Sequence, residues 1–198
     1  MKKLFIFAVI LFSVSLRTDA QKPVYILAEP AGWNKEIMTF PIDFAPEVNY
    51  QGLEDIRFAP GWGNDKNDQF WCYTFVWWLD NSPVFDENKL ATDMEEYFTG
   101  LANSVLKSKN KTVENLPKTL ATFKKDKSDN KNVKVYKGKI NMYDAFVTFK
   151  PITLNIKTYI LVCKDKNKTA VFFEMSPQNF KHEIWKELDK IYRDFNCK

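Results

Sequence analysis

The sequence predicts an α+β fold: a single domain built on a largely antiparallel, twisted sheet of about seven strands with two amphipathic helices. Three observations predict it. From residue 36 to 79, apolar residues recur with a period of two in three short runs separated by Pro, Gly and Asn clusters. From 87 to about 107, and again near the C-terminus, the spacing changes to three and four. Between those helical stretches the period of two returns in several segments joined by short polar turns, the pattern of antiparallel neighbours.

The first strand is expected at residues 36–44, where Phe40, Ile42 and Phe44 alternate with Thr39, Pro41 and Asp43. Pro41 lacks a ladder donor, which places this strand at a sheet edge. The second, at 53–60, puts Glu54 on one face with Ile56 and Phe58, and Asp55 and Arg57 on the other; Pro60-Gly61 ends it. The third, at 70–79, is apolar on both faces, with Trp71, Tyr73, Phe75, Trp77 and Leu79 opposite Phe70, Cys72, Val76 and Trp78. A strand covered on both sides belongs in the middle of a sheet.

Asp86 has the chemistry of an N-cap. The helix it opens carries Leu90, Met94, Tyr97, Phe98, Leu101 and Val105 along one stripe, with Lys107 and Lys109 favourably placed at its C-terminal end. Strands follow at 119–123, 133–142, 143–149, 152–163 and 169–175. The charged loop at 124–134 interleaves lysines with Asp126 and Asp129, the mixture expected of a solvated turn. Ser176-Pro177 reads as the start of the last helix, with Phe180, Ile184, Leu188, Ile191 and Phe195 as its buried stripe.

Residues 1–20 stand apart. Lys2 and Lys3 precede an apolar run from Leu4 to Leu16, and Thr18-Asp19-Ala20 offers small residues at the positions a signal peptidase reads. The run is too short to span a bilayer, so a secretory signal cleaved after Ala20 is expected, leaving 21–198 as one domain in a secreted or periplasmic setting, with no transmembrane segment. Removing Lys2, Lys3, Arg17 and Asp19 lowers the formal charge of +4 by two, which gives no reason to expect nucleic acid as a partner.

Three cysteines remain. Cys163 and Cys197 lie near element ends and are the expected bridge; Cys72, inside the aromatic strand, is expected to stay a buried thiol. Asn110-Lys111-Thr112 and Asn167-Lys168-Thr169 match the glycosylation pattern of a eukaryotic secretory host.

Candidate chemistry is sparse. The lone histidine, His182, falls on the polar side of the last helical stretch, away from any nucleophile. Neither a metal site nor a cofactor is expected, and the oxygen-rich loop Asn64 to Asp68 lacks the Gly and distal Glu of a calcium hand. Glu54, beside Ile56 and Phe58, is either partly desolvated, which would suit acid–base work with Asp80 as the second acid of a hydrolytic pair, or reaches solvent at the strand start, and a structural role is favoured over a catalytic one. Asp55 and Arg57 read first as a structural ion pair. Trp62 sits between two glycines in a polar loop. It either tucks back to cap the sheet or stands out as a stacking platform, and the cost of exposing so large an apolar surface favours tucking.

The run EDIRFAPGW followed by FWCYTFVWWLD resembles uncharacterised secreted proteins of the Bacteroidota, a likeness continuing to the FFEMSPQNF…IWKEL segment. The resemblance implies export and carries no activity with it. The element order is similar to the Mog1/PsbP-like α/β/α arrangement, with curled-sheet nuclear-transport-factor-like or cystatin-like domains as the alternative fold. The leading functional expectation is an exported, non-enzymatic domain that binds a ligand or partner through Trp62, Asp55, Arg57, Glu54 and Asp80. A carboxylate-dependent hydrolase using Glu54 and Asp80 is the alternative, and an accessory protein of the envelope a third.

Overall fold

The computed structural model describes residues 25–80 and 82–197, so the expected signal peptide lies outside the described residues. Seven strands, β1 (Asn34–Phe40), β2 (Gly52–Phe58), β3 (Tyr73–Asp80), β4 (Leu120–Asp126), β5 (Val133–Asp144), β6 (Lys150–Cys163) and β7 (Lys168–Ser176), form one sheet in the order β1-β2-β3-β7-β6-β5-β4. Every neighbouring pair is antiparallel. The chain thus makes two meanders. Helix α1 (Glu87–Ser108) carries it from β3 to the far edge, and β7 returns to pair with β3.

The two faces are separated by strand parity. Phe75, Trp77 and Leu79 join Leu90, Met94, Tyr97 and Phe98 of α1 in the main core. The alternating Val76 and Trp78 pack instead with Phe172, Ile191 and Phe195 around helix α2 (Ile184–Asp194). The result is a three-layer α/β/α arrangement, with the sheet not closed into a barrel. Asp86 caps α1 as expected, accepting a hydrogen bond from Lys89 N at 2.8 Å. Pro41 lies just past the end of β1, an edge strand, after a cis peptide bond.

Three local expectations are corrected. Residues 143–149 are not a separate strand: Tyr143 and Asp144 end β5, and 145–149 form a turn. The buried Asp144 carboxylate accepts from the amides of Phe146, Val147 and Thr148 at 2.7–3.1 Å, so those donors close a turn between β5 and β6. The final helix does not open at Ser176-Pro177, because Ser176 still belongs to β7 and α2 begins at Ile184. In between, the Gln178 carbonyl accepts from Asn155 Nδ2 at 3.0 Å and from Trp185 Nε1 at 3.2 Å, partners a helical turn would not leave available. Phe180 consequently falls outside the buried stripe: it is 37% exposed and rests on the Trp185 ring.

Cys163 and Cys197 form the disulfide, with Cα atoms 5.3 Å apart, tying the end of α2 to the end of β6. Cys72 is a free, buried thiol, its pKa pushed up to about 12 mainly by burial. Among the described residues, no helix is long and apolar enough to cross a membrane.

Candidate functional site

The site grows from a misfit between sheet and helix. At the β1–β2 edge, alternation turns Asn34, Glu36 and Met38 of β1 and Ile56 and Phe58 of β2 toward the α1 side. The C-terminal half of α1 presents Tyr97, Leu101 and Val105 to the same space at helical spacing. These side chains do not meet, and a cleft of about 620 Å³ remains between them.

Three irregular segments close its ends. After Phe40 the chain turns, and Phe44 lies over α1 because Gly100 offers no side chain there: a Cβ on Gly100 would come within 1.8 Å of the Phe44 carbonyl oxygen. The β5–β6 turn built by Asp144 delivers Phe146. The loop between β2 and β3 delivers Trp62. It is shut by backbone bonds from Ala59 N to Cys72 O (3.0 Å) and from Trp71 N to Trp62 O (3.1 Å), with Trp71 in the left-handed region.

Trp62 therefore tucks in without becoming core. Half-buried, it packs edge-on against Phe58 and Phe146, with centroids 5.2 Å away in each case, and tilts against Trp71 at 5.0 Å. Its other side lines the cleft. The indole N–H groups of Trp62 and of the fully buried Trp71, both wall residues, are sealed from water and find no hydrogen-bond partner. An orphaned buried donor costs roughly 1–3 kcal/mol, a local cost that the packing of these rings must offset.

The other singled-out residues separate. Glu54 lies on the α1 side, wholly buried, behind the cleft wall. Its carboxyl accepts from Trp77 Nε1 and from the Tyr97 hydroxyl, each at 2.8 Å. Burial outweighs those bonds and pushes its pKa up to about 8. Asp80 belongs to the opposite face, having the strand parity of Trp78, and pairs with Lys168 in solvent. Glu54 and Asp80 thus lie on different sides of the sheet.

Asp55 and Arg57 are also on the α2 side, both wholly buried and ion-paired. Asp55 Oδ2 accepts from the amides of Ile26 and Leu27 at 2.6 and 2.8 Å, and Arg57 donates to the carbonyls of Leu27 and Ala28. Through these bonds to residues 26–28 the pair clamps the start of the described chain onto the sheet. His182 precedes α2 instead of riding on it; Nδ1 accepts from Ile184 N at 3.2 Å and Nε2 lies 3.7 Å from Asp68. Among the described residues no three His, Cys, Asp or Glu side chains gather as a metal site.

Sequence reasoning reached Trp62 but missed Glu36, Phe44, Tyr97 and Phe146 as parts of one wall. Each is unremarkable within its own element. Compared with known proteins, the chain matches no family model, no curated protein and no solved structure.

Proposed function

We propose that this chain is an exported, non-enzymatic domain that binds a small apolar molecule in the cleft between the β1–β2 edge and α1. The observation that carries this reading is the cleft itself, about 620 Å³ in volume and walled largely by apolar and aromatic side chains from β1, β2, α1 and the loops that carry Phe44, Trp62 and Phe146. A small ligand's apolar body would cover Met38, Ile56, Leu101 and Phe146. The volume falls in the ordinary range for small-molecule sites, and predominantly apolar walls with a few convergent polar groups are their usual make-up. Export is supported by the Cys163–Cys197 bridge, since such bonds persist in oxidising compartments. Kinship with secreted proteins of the Bacteroidota belongs to the same proposal.

The hydrolase reading has less behind it. Its two carboxylates lie on opposite sheet faces, and both Glu54 oxygens are already occupied by Trp77 and Tyr97.

Nile red, uncharged and carrying a carbonyl oxygen, is the test ligand. One equivalent should bind with a blue-shifted emission. Leu101→Trp should fill the cleft and abolish binding with the circular dichroism unchanged. Full binding by a folded Leu101→Trp protein would show that the dye sits elsewhere and would overturn the reading.

A further inference from the structure

The charges around the cleft say which end of a ligand goes where. Among the described residues Glu36 is the one charged side chain in the wall, exposed at the β1 edge, and none of them forms an ion pair with it. Its neighbour Lys35 has the opposite strand parity and pairs with Glu29. Lys109 donates to the Phe146 carbonyl oxygen at 2.6 Å and is not part of the wall. Among the described residues no Lys, Arg or His lines the cleft. A carboxylate or phosphate entering it would find no cation, would lose its hydration against aromatic rings, and would meet the Glu36 charge. Behind the wall Glu54, on the same face at the next position of β2, adds no positive charge in either protonation state.

Resting on the cleft reading above, we infer that the ligand is a cationic amphiphile. Its ammonium group sits at the cleft rim beside Glu36, and its apolar body runs along Ile56, Phe58 and Leu101. The rings favour the same polarity. Phe58 and Trp62 are both rings of the wall, and a ring face attracts a cation and repels an anion.

The test uses three straight-chain ten-carbon compounds, decylamine, decan-1-ol and decanoate, each below its aggregation concentration, in competition with Nile red at pH 7 and low salt. Decylamine should displace the dye at about one-tenth the concentration that decanoate requires, with decan-1-ol between them. Glu36→Gln should bring the amine and the carboxylate to within about twofold of each other and leave the alcohol unchanged. Decanoate competing as well as decylamine overturns the inference while leaving an apolar site intact. A preference for the amine that survives Glu36→Gln overturns the role given to Glu36. If Nile red itself ignores Leu101→Trp, the cleft reading has failed and the inference falls with it.

Discussion

Glu54 and Trp77 face each other across β2 and β3, and the Trp77 indole donates to the Glu54 carboxyl at 2.8 Å with both side chains sealed from water. From α1, Tyr97 donates to the other oxygen, so one acid ties the sheet to the helix that lines the cleft. Desolvation is stronger than both bonds together and raises the pKa from 4.5 to about 8.

That shift has a definite sign. Between pH 4.5 and 8 the folded state holds a proton that the unfolded chain releases, so stability falls as pH rises through this window and levels off above it. Glu174, whose pKa burial also raises well above the usual value, acts in the same direction. Urea unfolding should therefore show a midpoint that declines from pH 5 to 8, by at most about 1.4 kcal/mol per pH unit from each acid. Glu54→Gln, whose amide can accept from Trp77 and donate to Tyr97, should make the decline shallower. An unaltered slope would mean Glu54 titrates like a surface acid.

Removing one partner of the buried Asp55–Arg57 pair strands the other. Arg57→Met should cost about 3–5 kcal/mol, a drop in Tm of roughly 6–20 °C for a domain of this size. It should also loosen residues 26–28, whose carbonyls Arg57 holds. Limited proteolysis should then cut near Ala28 earlier than in the parent protein.

Gly100→Ala sets two effects against each other. In a helix interior Ala is favoured by about 1 kcal/mol. Here the new Cβ would meet the Phe44 carbonyl oxygen at 1.8 Å, and backbone atoms cannot step aside as a flexible side chain does. The clash should win, lowering Tm by several degrees and weakening Nile red binding as Phe44 is pushed off the cleft. A raised Tm would show that the loop yields freely.

The Cys163–Cys197 bridge closes a loop of 34 residues. Replacing both cysteines by serine should cost about 2–4 kcal/mol, read as a lower urea midpoint with similar cleft binding, because the bridge lies on the α2 side of the sheet. Loss of Nile red binding in the folded variant would contradict that separation of faces.

Local physics was legible in the chain itself. The parity of Tyr73 to Leu79 foretold a strand buried on both faces and Asp86 foretold the start of α1; the first strand is at an edge as expected, but it ends at Phe40, before Pro41, instead of running to Phe44. Where local cues competed, the wrong one prevailed. Tyr143 to Phe149 alternates well enough for a strand, but Asp144 takes three amides of that segment for its own turn. Ser176-Pro177 has a helix-opening signature, yet Ser176 is held in β7 beside Asn155 of β6.

What the residues alone determined was therefore which side chains are apolar, with what period, and where elements begin and end: properties carried by neighbours a few positions apart. The cleft was decided only in three dimensions. Phe44, Trp62, Tyr97 and Phe146 come from four separate segments, and a period reveals that a residue faces inward, not whether the space it faces is filled. Nor does sequence reveal that the Trp77 indole reaches Glu54 while those of Trp62 and Trp71 find nothing. Whether a buried donor is satisfied depends on the direction of one N–H bond and on what packs opposite it, and both are set by the assembled layers.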